Sequence, residues 1–114
     1  MKFVRARARN RPDPNGMNKT ERAYRDHLAL RELAGEIQGF RFEGLKLRLA
    51  DSTFYSPDFL VILADGLVEL HEVKGHWEDD ARVKFKVAQE QFPWLQLVAV
   101  KRAKGGGWQF ERLR

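Results

Sequence analysis

Beyond residue 17 the spacing of apolar positions changes several times along the chain, and each change marks an element. From Asn18 to about Leu33 good helix formers dominate, with Ala23, Leu30, Ala34 and Ile37 recurring on one face and Glu21, Arg25 and Leu28 on a second. Asn18 and Glu21 stand at capping-box spacing, so a helix is expected to begin there. From Gln38 to Asp51 the pattern shortens to alternation, with Phe40 and Phe42 in one phase and Leu45, Leu47 and Leu49 in the other. The shift at Glu43-Gly44 predicts a β-bulge inside one long strand. Thr53 to Leu63 and Leu67 to Lys74 read as two further strands joined around Ala64-Asp65-Gly66, where glycine suits a left-handed residue.

The register of this hairpin follows from its apolar positions. A three-residue turn ending in Gly66 pairs Ile62 with Val68, Leu60 with Leu70 and Asp58 with Glu72. A two-residue Asp65-Gly66 turn would slip the register and oppose Leu60 to His71 and Ile62 to Glu69, setting apolar against polar faces. The first pairing is therefore expected. It places Asp58, Leu60 and Ile62 on one face beside Val68, Leu70, Glu72 and Lys74, so three charged groups end an apolar stripe. Two facing carboxylates repel, and half-buried they are costly unless a cation lies between them or one stays protonated. An isolated Glu-x-Lys at a strand end is ordinarily a solvated pair. Here Pro57-Asp58 stands opposite Glu72-Val73-Lys74, and the compound pattern points to a divalent-metal site.

Glu78-Asp79-Asp80 opens a second expected helix, its acids complementing the helix dipole, with Ala81, Phe85, Ala88 and Phe92 as its apolar stripe and Pro93 at its close. Trp94 to Val100 is a nearly continuous apolar run, as expected of a strand buried on both faces. Strand, helix and strand then form a right-handed crossover between parallel strands. Gly105-Gly106-Gly107 turns the chain into a last strand with Trp108, Phe110 and Leu113. The expected class is α/β (α+β): a mixed central β-sheet flanked by helices, in the order helix, three strands, helix, strand, plus a C-terminal strand.

Charge changes this picture at one end only. Lysine and arginine total 21 against 16 acids, a formal +5, and Lys2, Arg5, Arg7, Arg9 and Arg11 precede the first acid, Asp13. Residues 1–16 therefore read as a basic flexible arm and 17–114 as one domain. Such an arm is either a phosphate-contacting tail, favoured by counterion release on a polyanion, or a solvated tail that aids solubility. The chain has no cysteine, which excludes thiolate metal sites and leaves carboxylates, carbonyls or histidines for a hard cation such as Mg2+. No apolar run approaches the roughly 18 residues of a membrane span, and the charged start lacks a signal-peptide core. A cytoplasmic protein without a membrane partner is expected.

The element order, together with Glu21, Pro57-Asp58 and Glu72-Val73-Lys74, resembles the PD-(D/E)xK nuclease superfamily. Ser56-Pro57-Asp58-Phe59-Leu60, Glu72-Val73-Lys74-Gly75-His76-Trp77-Glu78 and Glu90-Gln91-Phe92-Pro93 are similar to the junction-resolving endonuclease I group of phages and to small phage and prophage proteins. The likeness covers roughly residues 18–101. It implies a restriction-endonuclease-like core in which Asp58 and Glu72 bind Mg2+, with Mn2+ able to substitute. Lys74 is then the catalytic lysine, Glu21 a helix-borne acidic ligand, and Val73 a further metal contact in the same motif. The implied activity is Mg2+-dependent, structure-specific DNA hydrolysis, Holliday-junction resolution in DNA recombination, by a homodimer on branched DNA in a bacterial or phage-infected cell.

Other residues carry open readings. Glu21 is either that ligand or only a helix cap. Arg82, Lys84 and Lys86 form either a solvated helix face or a DNA-contacting surface. Trp77 either stacks on a nucleotide or packs under the next helix. His27, His71 and His76 lack metal-ligand spacing and read as surface or packing residues, and Pro12-Asp13 mimics Pro57-Asp58 without a facing Glu-x-Lys. The alternatives are a PD-(D/E)xK nuclease with another target (site-specific, nicking or exonuclease) and a catalytically silent DNA-binding module. Little room for a sequence-reading domain disfavours the site-specific form, and intact Asp58, Glu72 and Lys74 argue against the silent one.

Overall fold

The computed structural model describes residues 16–74 and 79–113 of the chain. Its first helix, α1 (Lys19–Leu33), is closed at its start by the expected capping box: Glu21 N–H donates to Asn18 Oδ1 at 2.8 Å and Asn18 N–H to Glu21 Oε1 at 2.9 Å. The buried face differs from the expected one. Tyr24 and Leu28, one turn apart, are fully buried, whereas Leu30 and Leu33 are 66% and 85% exposed. Ile37, expected on the helix, begins the first strand. Tyr24 wins because its large ring fills the space over the sheet while its hydroxyl keeps a polar partner there, so the Glu21, Arg25 and Leu28 stripe lies on the sheet side.

The expected long strand Gln38–Asp51 is two strands in different sheets. β1 (Ile37–Phe42) ends where Glu43 takes φ +50°, and its N–H makes a last 2.7 Å bond to Asp58 O. Gly44 follows at a point where an added Cβ would stand 2.8 Å from Arg41 Cβ, so a larger residue would push the departing chain off the sheet. The chain then forms a small hairpin of β2 (Leu47–Ala50) and β3 (Thr53–Tyr55) before re-entering the main sheet at β4 (Phe59–Leu63). The expected Thr53–Leu63 strand is thus broken as well. Ser56-Pro57 is the cause, because proline lacks the N–H that a continuous ladder needs.

β4 turns into β5 (Val68–Val73) through Ala64-Asp65-Gly66, with Gly66 at φ +92° and Leu63 N–H bonded to Leu67 O at 2.8 Å. The observed pairs are Leu60 with Leu70 and Ile62 with Val68, the register expected from the apolar positions. Helix α2 (Asp79–Gln91) leads to β6 (Gln96–Arg102), parallel to β5, and β7 (Trp108–Arg112) returns antiparallel to β6. β6 lies two residues later than the expected Trp94–Val100, since Trp94, 75% exposed, belongs to the turn before it. The result is a mixed α+β domain: a mixed five-stranded sheet in the order β1-β4-β5-β6-β7, a separate two-stranded hairpin, and two helices.

The sheet separates two cores. Phe59, Val61, Val73, Val98 and Val100 pack with Tyr24 and Leu28 of α1. Leu70, Leu97 and Ala99 pack with Phe85 and Ala88 of α2 and with Leu47, Leu49 and Tyr55 of the small hairpin. Each fully buried large side chain contributes about 1.5–3 kcal/mol, and truncating Phe85, which joins helix, hairpin and sheet, would cost roughly 3–5 kcal/mol. α1 lies over β1 and β5, and α2 over β6 and the small hairpin. No helix among the described residues is long and apolar enough to cross a membrane.

Candidate active site

Continuing the β4–β5 register past Phe59 and His71 sets Asp58 opposite Glu72 at the end of the sheet where β4 enters and β5 leaves. Both acids are buried, at 8% and 5% exposure. The backbone ties them together. Val73 N–H donates to Asp58 Oδ2 at 2.8 Å, and Asp58 N–H donates to Glu72 Oε1 at 3.3 Å. Lys74, the first residue beyond β5, reaches back so that its Nζ lies 3.2 Å from Glu72 Oε2. The structure therefore brings Asp58, Glu72 and Lys74 into one constellation.

A fourth member comes from the small hairpin: Tyr55 donates its hydroxyl to Glu72 Oε1 at 2.8 Å. Sequence reasoning missed it. Read as one strand with β4, Tyr55 falls on the face opposite Asp58, and only a break at Ser56-Pro57 lets it turn toward Glu72. The proline was the available signal.

Burial and like charge govern the electrostatics. Burial, reinforced by the Glu72 charge, pushes the Asp58 carboxyl up to about 8, against the pull of the Val73 amide and Lys74. Burial also raises Glu72, partly offset by hydrogen bonds from Tyr55 and Lys74. Burial works against the charge on Lys74, but Glu72 and Asp58 outweigh it and the ammonium is held above its ordinary range. The charge of Glu21 contributes to the shifts of both Asp58 and Lys74, which puts the start of α1 within electrostatic reach of the pair. Its Oε1 remains engaged in the helix cap.

These residues can hold a hard cation only in a particular way. Among the described residues no group of three or more histidine, cysteine, aspartate or glutamate side chains is placed to hold a metal. Two carboxylates are nevertheless a suitable donor set for Mg2+, which commonly takes one or two carboxylates and keeps several waters or substrate oxygens. Asp58 Oδ2 and both Glu72 oxygens have protein partners, leaving Asp58 Oδ1 with no hydrogen bond among the described residues. A buried, partly unsatisfied, mutually repelling pair fits a cation between its members. Val73 turns its side chain into the core under α1, so only its carbonyl could reach such a cation.

The remaining predicted residues are dispersed. Arg82 and Lys84 are exposed on α2, and Lys84 Nζ lies 3.5 Å from Phe54 O on the small hairpin. Lys2, Arg5, Arg7, Arg9 and Arg11 lie outside the described residues, as do His76, Trp77 and Glu78. His27 is half-buried on α1, stacked on Tyr24 with ring centroids 5.5 Å apart. Of the two readings of His71, surface or packing, the structure gives the packing one. At 1% exposure it contacts Tyr24 Oη through Nδ1 at 2.6 Å and Glu69 Oε1 through Nε2 at 2.9 Å, and Arg112 donates to Glu69 Oε2 at 3.0 Å. This network ties α1 to β5 and β7 on the face opposite Glu72. Burial lowers His71 toward its neutral form, and burial raises the Tyr24 hydroxyl.

No curated protein and no solved structure matches the chain. The family described as "Protein of unknown function (DUF1064)" matches residues 16–105, a span that includes Glu21, Asp58, Glu72, Lys74 and the whole of α2. The chain belongs to the DUF1064 family.

Proposed function

We propose that this protein is a Mg2+-dependent, structure-specific DNA endonuclease with a restriction-endonuclease-like core, acting as a homodimer on branched DNA of the Holliday-junction kind. The observation that carries the reading is the buried pair Asp58 and Glu72 on adjacent strands, with the Lys74 ammonium 3.2 Å from Glu72. A surface ion pair needs no second carboxylate, and two buried acids, the charge of one disfavouring ionisation of the other, add nothing to the stability of a core.

Asp58 and Glu72 are the groups that would hold the cation, with the Val73 carbonyl and Glu21 as further oxygen donors. A bound divalent cation would supply charge neutralisation at the scissile phosphate and lower the pKa of the attacking water. The chain's own residues do the positioning. Tyr55 and the Asp58 amide fix Glu72, and the Val73 amide fixes Asp58 through Oδ2, leaving Oδ1 without a hydrogen bond among the described residues. Lys74 stands where it can orient the attacking water or meet the charge that grows on the phosphate in the transition state. Glu21 keeps a second role as a cap, and Arg82, Lys84 and the basic arm are the proposed DNA contacts.

Shape is the favoured source of selectivity, because a domain of this size has few means of reading bases in a groove, while backbone contacts register the bend of branched DNA. Two copies about a two-fold axis would present two sites to opposed strands. The purified chain should be assayed with Mg2+ on linear duplex, single-stranded, flapped and four-way DNA of shared sequence. Preferential, nearly paired incision at the four-way branch supports the reading. Equal cleavage of junction and duplex removes the junction-resolving part and leaves the nuclease, and cleavage of none removes both.

A further inference from the structure

The face of the sheet that carries Glu72 does not end at β5. In the parallel register Glu72 lies beside Ala99, and the antiparallel register of the last pair sets Ala99 beside Glu111 and Lys101 beside Gln109. The β5–β6 register carried one residue further brings Lys74 beside Lys101; the Lys74 N–H bond to Val100 O at 2.8 Å holds the strands together there. Lys101 and Gln109 therefore continue, at one and two strand widths of about 4.8 Å each, the row that begins with Lys74. Both are exposed.

This row is the floor of a groove. α2 covers β6 through Phe85 and Ala88 but leaves β7 bare on this face. The uncovered strip forms a groove of about 530 Å3 lined by Arg82, Ala99, Lys101, Gln109, Phe110 and Glu111. A narrower stretch shares Arg82, Ala99 and Glu111 with it and continues along α2 to Lys86 and Leu113. A last stretch, of about 660 Å3, shares Lys86 and Leu113. An open channel thus runs along α2 from beside the carboxylate pair, and its near end carries Arg82 and Lys101 against a single acid, Glu111.

We infer that this channel is the track for the DNA backbone flanking the scissile phosphate, with Lys101 and Gln109 as phosphate-binding residues, an assignment that rests on the nuclease reading above. The chemistry is that of a nucleic-acid backbone. An open groove with cationic and amide donors at its near end engages successive phosphates without regard to base, and each neutralised phosphate releases counterions. Gln109 offers amide donors that do not depend on pH. Glu111 at the near end and Glu90 at the far end oppose a phosphate, so the charge of Glu111 holds affinity down and a neutral residue there would raise it.

The test measures binding apart from cleavage. Fluorescence anisotropy of fluorescein-labelled four-way and linear DNA is recorded in chelator over a series of KCl concentrations. The chains compared are wild type, Lys101→Ala, Gln109→Ala and Glu111→Gln, each checked for unchanged melting. Lys101→Ala should weaken binding several-fold and lower the slope of log K against log salt by about one. Gln109→Ala should weaken binding with little change of slope, and Glu111→Gln should tighten it. Wild-type affinity and slope in Lys101→Ala together with unchanged affinity in Glu111→Gln overturn the channel. Parallel Mg2+ cleavage assays separate the two claims: wild-type cleavage with an indifferent channel rejects only the channel, whereas a wild type that neither binds nor cleaves DNA rejects the nuclease reading and the channel with it.

Discussion

Tyr55 and Glu72 meet at 2.8 Å although they belong to different sheets, the tyrosine lying on the small hairpin and the glutamate on the central strand. The contact makes the hairpin part of the site. Phenylalanine at position 55 keeps the ring against Phe85 and deletes only the donor. Tyr55→Phe should cost about 0.5–1.5 kcal/mol of stability and raise the Mg2+ concentration needed for half-maximal cleavage by about 10–100-fold, the usual effect of removing a group that orients a ligand. Mg2+ titration of the cleavage rate, beside a melting curve, checks it; an unchanged half-saturating Mg2+ concentration means that Tyr55 serves packing alone.

Asp58 predicts a gain of stability from a loss of chemistry. Its carboxyl sits at about 8 in the fold against an ordinary 3.8, so the metal-free protein loses stability as pH rises through that window. Asp58→Asn can keep the acceptor for the Val73 amide and removes the charge. In chelator at pH 8 it should raise stability by about 1–2 kcal/mol, seen as a rise in Tm, and the gain should shrink toward pH 4. A lower Tm at pH 8 would contradict the described electrostatics.

Glu21 can be divided into its two roles. Gln at this position still accepts the Asn18 amide and so keeps the cap, while losing the charge felt by Asp58 and Lys74. Glu21→Gln should melt within about 0.5 kcal/mol of wild type yet require more Mg2+ for half-maximal cleavage. Wild-type turnover at limiting Mg2+ assigns Glu21 to capping only.

The opposite face gives an acid limb. Hydrogen bonds from His71, then Arg112, hold the Glu69 carboxyl at about 2, below its ordinary 4.5. A lowered carboxyl contributes stability that is fully present above the unfolded value and is lost as pH falls through the folded one, here from 4.5 toward 2. Glu69→Gln should lower stability at pH 7 by about 1–3 kcal/mol and flatten this limb in melting curves. A variant that keeps the wild-type slope below pH 4.5 would detach the limb from Glu69.

The sequence spoke most clearly where apolar residues pair across a turn. Ile62, Leu60, Val68 and Leu70 admit one register, and that register alone carries Asp58 to Glu72. It was least clear where a local break decides direction. Glu43 and Ser56-Pro57 release the chain from the main sheet, and alternation on either side of such points persists while its meaning changes. Amphipathic rings misled for another reason. Tyr24 and His71 count as polar or neutral in a pattern, yet both are buried because each satisfies the other's polar atom, and that partnership joins residues 47 positions apart. Arg112 and Glu69 are 43 apart and were hidden in the same way.

The nuclease reading rests on one cooperative requirement, a divalent cation used through both Asp58 and Glu72. The most direct test is a single-turnover cleavage assay on a labelled four-way junction, comparing wild type with Asp58→Asn and Glu72→Gln, each folded and each with Mg2+ or with chelator. The account predicts incision by wild type in Mg2+ only, and a loss of at least about 100-fold in either variant with junction binding retained. Incision that persists in chelator, or that survives in both variants at the wild-type rate, would contradict it.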